Sequence, residues 1–111
     1  MQVLFLVLNK VDCLENLLIN LAQAGVKGGT IIDSTGMARA LGDSEDNNIW
    51  GSLRMLLDPQ REESKTLFFI LENEQVATVR KIINEVTGGL DKPDSGIMFG
   101  FDLLFVEGLK K

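Results

Sequence analysis

Whatever chemistry this chain performs, it performs without histidine and with a single thiol, Cys13. An intrachain disulfide is therefore excluded, and the common zinc sites cannot be assembled from one copy of the chain. The missing imidazole also removes every His-dependent triad and the usual general base near neutral pH. Acid–base catalysis would fall to carboxylates or lysines, and no carboxylate pair stands out from a solvated surface. The expectation is a protein that binds without catalysing, with no metal site and no covalent cofactor.

The residue types best suited to protein binding lie between positions 40 and 65. This segment opens acidic, with Gly42-Asp43-Ser44-Glu45-Asp46-Asn47-Asn48, then turns apolar through Ile49, Trp50, Leu53, Met55, Leu56 and Leu57, and becomes polar again after Pro59. It shows no sustained period of either kind, and a connection of that length inside a compact domain is usually functional or disordered. Aromatic anchors dominate interface energetics. Trp50, Leu53, Arg54 and Leu56 are thus a candidate docking element for an unidentified protein target. The alternative is that Trp50 and Leu53 fold back as a short helix on their own subunit or a neighbour.

Eleven basic against 16 acidic side chains give a net charge of -5, so the molecule as a whole repels phosphate backbones and nucleic acid is not expected as a partner. An apolar content of 45% with 24% charged residues over 111 positions is that of one globular domain. The longest apolar run, Val3 to Leu8, is far short of the ~20 residues that span a bilayer. No membrane insertion is expected, and the reading is of a cytoplasmic protein, which leaves a membrane transporter open as a partner.

The elements that position these residues repeat one order twice. Val3 to Leu8 is short, β-branched and aromatic, a buried strand over 3–8. Asp12 with Glu15 three residues later has the pattern of a capping box, and Leu14, Leu17, Leu18 and Leu21 follow at helical spacing, predicting a helix over 12–24 stopped by Gly25. Thr30 to Thr35 predicts a second strand over 29–36. In the second half, 66–71 is another compact apolar strand, and Asn73 is a plausible N-cap. Val76, Val79, Ile82, Ile83 and Val86 share one face of a helix over 74–87, with Gly88-Gly89 as its stop. A last strand is expected over 97–106. The fold class is therefore α+β, a ferredoxin-like β-α-β-β-α-β order with an antiparallel sheet, interrupted by the long central connection.

In such a fold one sheet face meets helices and the other meets water, so the strands should alternate apolar and polar. These do not. Val3 to Leu8 and Leu67 to Leu71 are apolar on both faces. Phe99, Phe101, Leu103 and Phe105 share one face of the last strand, while Met98, Leu104 and Val106 fall on the other. An exposed second face would exceed the apolar patch that soluble monomers carry. Something covers it, and the simplest cover is another copy of the same sheet.

With those elements in place, the chain resembles the PII signal-transduction proteins and their PII-like relatives across nearly its whole length. The most specific stretch is Gly25-Val26-Lys27-Gly28-Gly29-Thr30, similar to the family's helix-to-strand turn, followed at matching spacing by Gly36, Arg39 and Gly42 where the family's T-loop begins. A second match is Thr87-Gly88-Gly89, then Ile97-Met98-Phe99-Gly100-Phe101-Asp102, similar to the B-loop and final strand. The resemblance implies a homotrimer that binds an adenine nucleotide, ATP, ADP or AMP, in clefts between subunits and signals to a protein partner through the T-loop. It implies Thr30 as a hydroxyl near the base, Gly36 as backbone to the nucleotide, Arg39 as a phosphate contact and Gly88-Gly89 as the B-loop turn.

The departures from that pattern are specific. The lysine that the family carries just before its last strand is Gly96 here, and Lys92 can take its place only if the loop folds it back. Ala40 stands where regulatory members place a glutamine, so 2-oxoglutarate sensing is not implied. The chain has no tyrosine, which removes nucleotidylation of a T-loop Tyr. The family's arginine-bearing C-terminal segment is replaced by Glu107-Gly108-Leu109-Lys110-Lys111. Two other readings remain beside the nucleotide-binding regulator: a ligand-blind oligomeric adaptor, and an ACT-like domain binding an amino acid, which the long central connection disfavours.

Overall fold

The computed structural model describes residues 1–37 and 64–109. Strand β1 (Gln2–Leu8) leads through a 3-10 turn, Val11–Cys13, into helix α1 (Leu14–Gln23) and strand β2 (Thr30–Ser34). After the central connection come β3 (Ser64–Leu71), α2 (Asn73–Thr87) and β4 (Gly96–Asp102). The chain is thus α+β, with one four-stranded sheet in the order β2-β3-β1-β4 and every neighbouring pair antiparallel.

The period-two geometry of β1 sorts the molecule into layers. Leu4, Leu6 and Leu8 are buried on the face that meets Leu17 and Leu21 of α1 and Val79 and Ile83 of α2. Opposite them in the ladder stand Phe69 and Leu67 of β3, which belong to the same core. Val3, Phe5 and Val7 lie on the other face, beside Ile70, Phe68 and Thr66 of β3 and Phe101, Phe99 and Ile97 of β4. Among the described residues no helix reaches this second face.

Each helix end has a local cause. α1 closes with Val26 N–H donating to Leu21 O at 2.9 Å and Gly25 N–H to Ala22 O at 3.0 Å, a Schellman stop that tucks Val26 into the core. The expected Asp12 cap is not formed. The chain enters α1 already coiled, with Cys13 in the right-handed region and without a side-chain cap bond, so Asp12 sits in the 3-10 turn and the helix begins at Leu14. At α2 the cap moves one residue earlier than Asn73. Glu72 is extended and its side chain takes the N3 amide, while Gln75 Oε1 accepts the Glu72 N–H at 3.0 Å. Asn73 instead accepts a bond from Gln2 Nε2.

The strand bounds also differ from expectation, β1 and β4 each starting one residue earlier. β2 covers 30–34, not 29–36, and β3 starts at Ser64, two residues before 66, because the β2–β3 ladder closes on the Ser34–Ser64 pair. Positions 64 and 65 therefore belong to β3 and not to the connection expected over 40–65. β4 stops at Asp102, not 106. Its ladder with β1 ends on the Gln2–Asp102 pair, followed by the Leu103 N–H bond to Met1 O. Leu104 and Phe105 consequently project from a non-strand segment and are 99% and 77% exposed.

The glycines of the α1–β2 turn have different causes. A Cβ on Gly29 would stand 2.6 Å from the Phe69 ring, which fills the core beside it, whereas a Cβ on Gly28 would meet nothing within 4 Å. Gly29→Ala should therefore lower stability by about 1–3 kcal/mol, and Gly28→Ala should stay within about 0.5 kcal/mol of the parent. Urea denaturation of the two variants measures both, and equal effects would show that Phe69 does not impose the glycine.

Candidate functional site

The antiparallel ladders bring several chain segments to one end of the sheet. β1 and β2 finish there, β3 and β4 begin there, and α2 terminates above it. Both ends of the central connection are fixed at this end by hydroxyls. Ser34 Oγ lies 2.9 Å from Ser64 Oγ and 2.7 Å from Thr66 Oγ1, and the buried Ser64 Oγ donates to Ser34 O at 3.1 Å. On the helix-side face of the same ladder Lys65 pairs with Asp33.

Across the sheet, the end of α2 is met by the segment that leaves β1. Asn9 and Lys10 both donate their backbone N–H to Ser95 O, at 3.1 and 3.2 Å, which ties the exit of β1 to the entry of β4. The Lys10 ammonium donates to Thr87 O at 3.4 Å, and the Cys13 thiol to Val86 O at 3.5 Å. These donors serve carbonyls that the helix leaves open at its C-terminus. Buried Thr87 bonds back to Ile83 O through its hydroxyl, and Gly88 takes φ 80, the left-handed cap expected of it.

The loop that follows folds back on this turn. A Cβ on Gly88 would lie 3.8 Å from Lys92 Nζ, and a Cβ on Gly89 would lie 2.6 Å from Asp91 Oδ1. The Lys92 ammonium thus lies near Gly88. Position 96 admits no such side chain: with φ 150, a Cβ there would stand 2.5 Å from Val7 O. The turn therefore carries cations from Lys10 and Lys92 and a carboxylate from Asp91, over a glycine backbone.

Of the expected ligand residues, Gly88, Gly89 and Lys92 come together. Gly36 lies beyond the end of β2, the opposite edge strand from β4, so it is separated from the Gly88 turn by the width of the sheet, two to three strand spacings or roughly 10–14 Å. Thr30 is exposed at the start of β2, paired with Phe68 in mid-sheet. Arg39 and the docking residues Trp50, Leu53, Arg54 and Leu56 lie outside the described residues. One chain does not unite these groups.

Two hollows, of about 340 and 440 Å³, adjoin the Gly25–Gly29 turn at the other end of the sheet. Leu18, Leu21, Val26 and Phe69 line the first, and Ile70, Leu71, Glu72, Gln75 and Leu109 the second, with Lys27 in both. The first is walled mainly by apolar side chains, and the second adds Glu72 and Gln75. Among the described residues no three metal-ligating side chains come together, and no helix is long and apolar enough to cross a membrane. Compared with known families and with characterised proteins, the chain matches neither a family model nor a curated sequence.

Sequence reasoning passed over Lys10 and Ser95, since each reads locally as a loop residue. Gly96→Lys tests the geometry of the turn directly. It should cost about 1–3 kcal/mol of stability, the price of a side chain in a backbone region that excludes one, and should create no additional anion affinity. A stable variant with tighter phosphate binding would overturn the packing assigned to Gly96.

Proposed function

We propose that this chain is a divergent PII-like regulatory protein, a homotrimer of ferredoxin-like subunits that binds an adenine nucleotide between adjacent copies and acts on a protein partner through the connection between β2 and β3. It catalyses no reaction and works in the cytoplasm. The ferredoxin-like reading draws support from the β-α-β-β-α-β element order and the strand order β2-β3-β1-β4.

The observation that carries the proposal is the helix-free face of the sheet. Phe5 stacks on Phe99 at 5.2 Å and on Phe101 at 6.0 Å and meets Phe68 at 5.4 Å. Around this cluster Ile32, Ile97, Phe99 and Phe101 are 47–60% exposed. A contiguous aromatic and aliphatic surface of this kind is unfavourable in water and gains from burial. A second copy presenting the same face offers the matching surface. Association also gives a reason for the split ligand residues: Gly36 at one sheet edge and Gly88, Gly89 and Lys92 toward the other become neighbours when copies stand side by side.

Gly96 favours the ligand-blind adaptor as the second reading, because the family lysine has no room there. Lys92 at the turn favours retained anion binding.

Equilibrium sedimentation should report a mass near three chains at micromolar concentration, and Phe101→Asp should dissociate or unfold the assembly, since an unpaired buried charge is very costly. A clean monomer would overturn the proposal. Calorimetry with ATP, ADP and AMP should detect binding that Arg39→Ala weakens by about 1.5–3 kcal/mol, the worth of a charge-assisted hydrogen bond. A trimer indifferent to all three nucleotides at millimolar concentration would replace the regulator with the adaptor.

A further inference from the structure

β4 is an edge strand, with β1 on one side and, among the described residues, no strand on the other. Its hydrogen-bonding parity is fixed at both ends of the ladder with β1. Asn9 N–H donates to Ser95 O and Leu103 N–H to Met1 O, and both pairs continue the register in which Phe99 faces Phe5. In an antiparallel pair, residues that exchange backbone bonds alternate with residues that do not. The odd-numbered residues of β4 therefore bond to β1, while Met98, Gly100 and Asp102 direct N–H and C=O away from the sheet. Among the described residues these outward groups make no backbone bond.

Soluble proteins usually blunt such an edge with lysine, proline, a bulge or a covering segment. β4, Gly96-Ile97-Met98-Phe99-Gly100-Phe101-Asp102, carries a single charge at its end and no proline. On its helix side, Gly100 borders a hollow of about 290 Å³ that Leu4, Val76, Arg80 and Met98 also line. Ile97, Phe99 and Phe101 are exposed on the helix-free face.

We infer that the β4 edge is a two-fold docking surface for the β4 edge of a second copy, paired antiparallel about Phe99. Phe99 is the middle residue of the strand, so this register overlaps the whole of β4. It sets Met98 opposite Gly100 of the second copy, and both residues direct their backbone groups into the junction. The Met98 side chain of the second copy then falls over Gly100, at the hollow beside α2, and a flexible thioether suits such a gap. On the helix-free face Phe99 meets its own counterpart and Ile97 meets Phe101, which extends the phenylalanine stack across the junction. Asp102 lies opposite Gly96. A register centred on Met98 would set Asp102 against Asp94, and one centred on Gly100 would set it against Met98, so the strand is self-complementary in one register. The inference does not rest on the homotrimer: that reading buries the helix-free face, whereas this pairing engages the β4 backbone. One strand pair buries little area, so the association is weak and depends on concentration.

The test is sedimentation of the full chain from low micromolar to near-millimolar concentration, where the mass should rise toward twice its starting value. Met98→Pro removes an outward donor without touching the β1 ladder and should abolish the rise, with a urea midpoint to check folding. Met98→Lys keeps that donor, places a charge at the junction and should act in the same direction. The register is read by cross-linking in a Cys13→Ser background. Phe99→Cys should join two copies in oxidised glutathione, because a non-hydrogen-bonded pair brings Cα atoms to about 4.5 Å, within disulfide reach. Ile97→Cys should not, since its counterpart stands four residues along the strand, roughly 13 Å away. A mass that does not rise, or a rise that the folded Met98 variants leave intact, would overturn the pairing. Cross-linking of Ile97→Cys as readily as Phe99→Cys would overturn the register. A constant mass of three chains would remove the edge pairing and keep the homotrimer, and one chain rising to two would do the reverse.

Discussion

β1 has no polar face, and the architecture follows from that constraint. It is a central strand, with β3 on one side and β4 on the other, so its backbone is fully paired and its side chains must choose between two sheet faces. Leu4, Leu6 and Leu8 take the helix side and are sealed there by α1 and α2. Val3, Phe5 and Val7 take the other. A register slip of one residue would exchange these sets without exposing a charge, so alternation within β1 alone does not set the register. The phenylalanines do: Phe5 stacks on Phe99 of β4 and meets Phe68 of β3, while the Asp33–Lys65 pair and the Ser34–Ser64–Thr66 hydroxyls fix β2 against β3.

The same ladders explain why the chemistry collects at one end. Antiparallel pairing places the exit of β1 beside the entry of β4, and Ser95 O takes two amides to secure it. α2, packed over the sheet, ends at this point with open carbonyls, and the donors that reach them come from Lys10 and Cys13. The glycines after Thr87 let the backbone turn away and leave both lysines accessible. Gly96 is the counterpart constraint, because close contact with Val7 O keeps position 96 bare.

Helix-forming periods and glycine stops were legible in the residues themselves. Leu17 and Leu21 of α1, and Val79 and Ile83 of α2, are the buried positions that their spacing predicts. Gly25 and Gly88 end the helices as expected, since a left-handed residue is a local requirement that neighbours do not alter. The two-faced character of the strands was legible for the same reason. Helix starts were less so: Asp12 and Asn73 have the right side chains, but the 3-10 entry and the Glu72–Gln75 box satisfied those amides differently.

By itself the sequence determined the element types, their order, the apolar second sheet face and the absence of imidazole chemistry. These depend on composition and on short-range period, which one chain segment expresses without reference to another. Tertiary structure decided where β4 stops, which strand residues bond across the Ser34–Ser64 rung, and that Lys10 reaches the end of α2. Each of those is a pairing between positions distant in the chain. A strand ends where its neighbour ends, and a lysine becomes part of a site only when folding carries another segment to it, so no local pattern could have announced them.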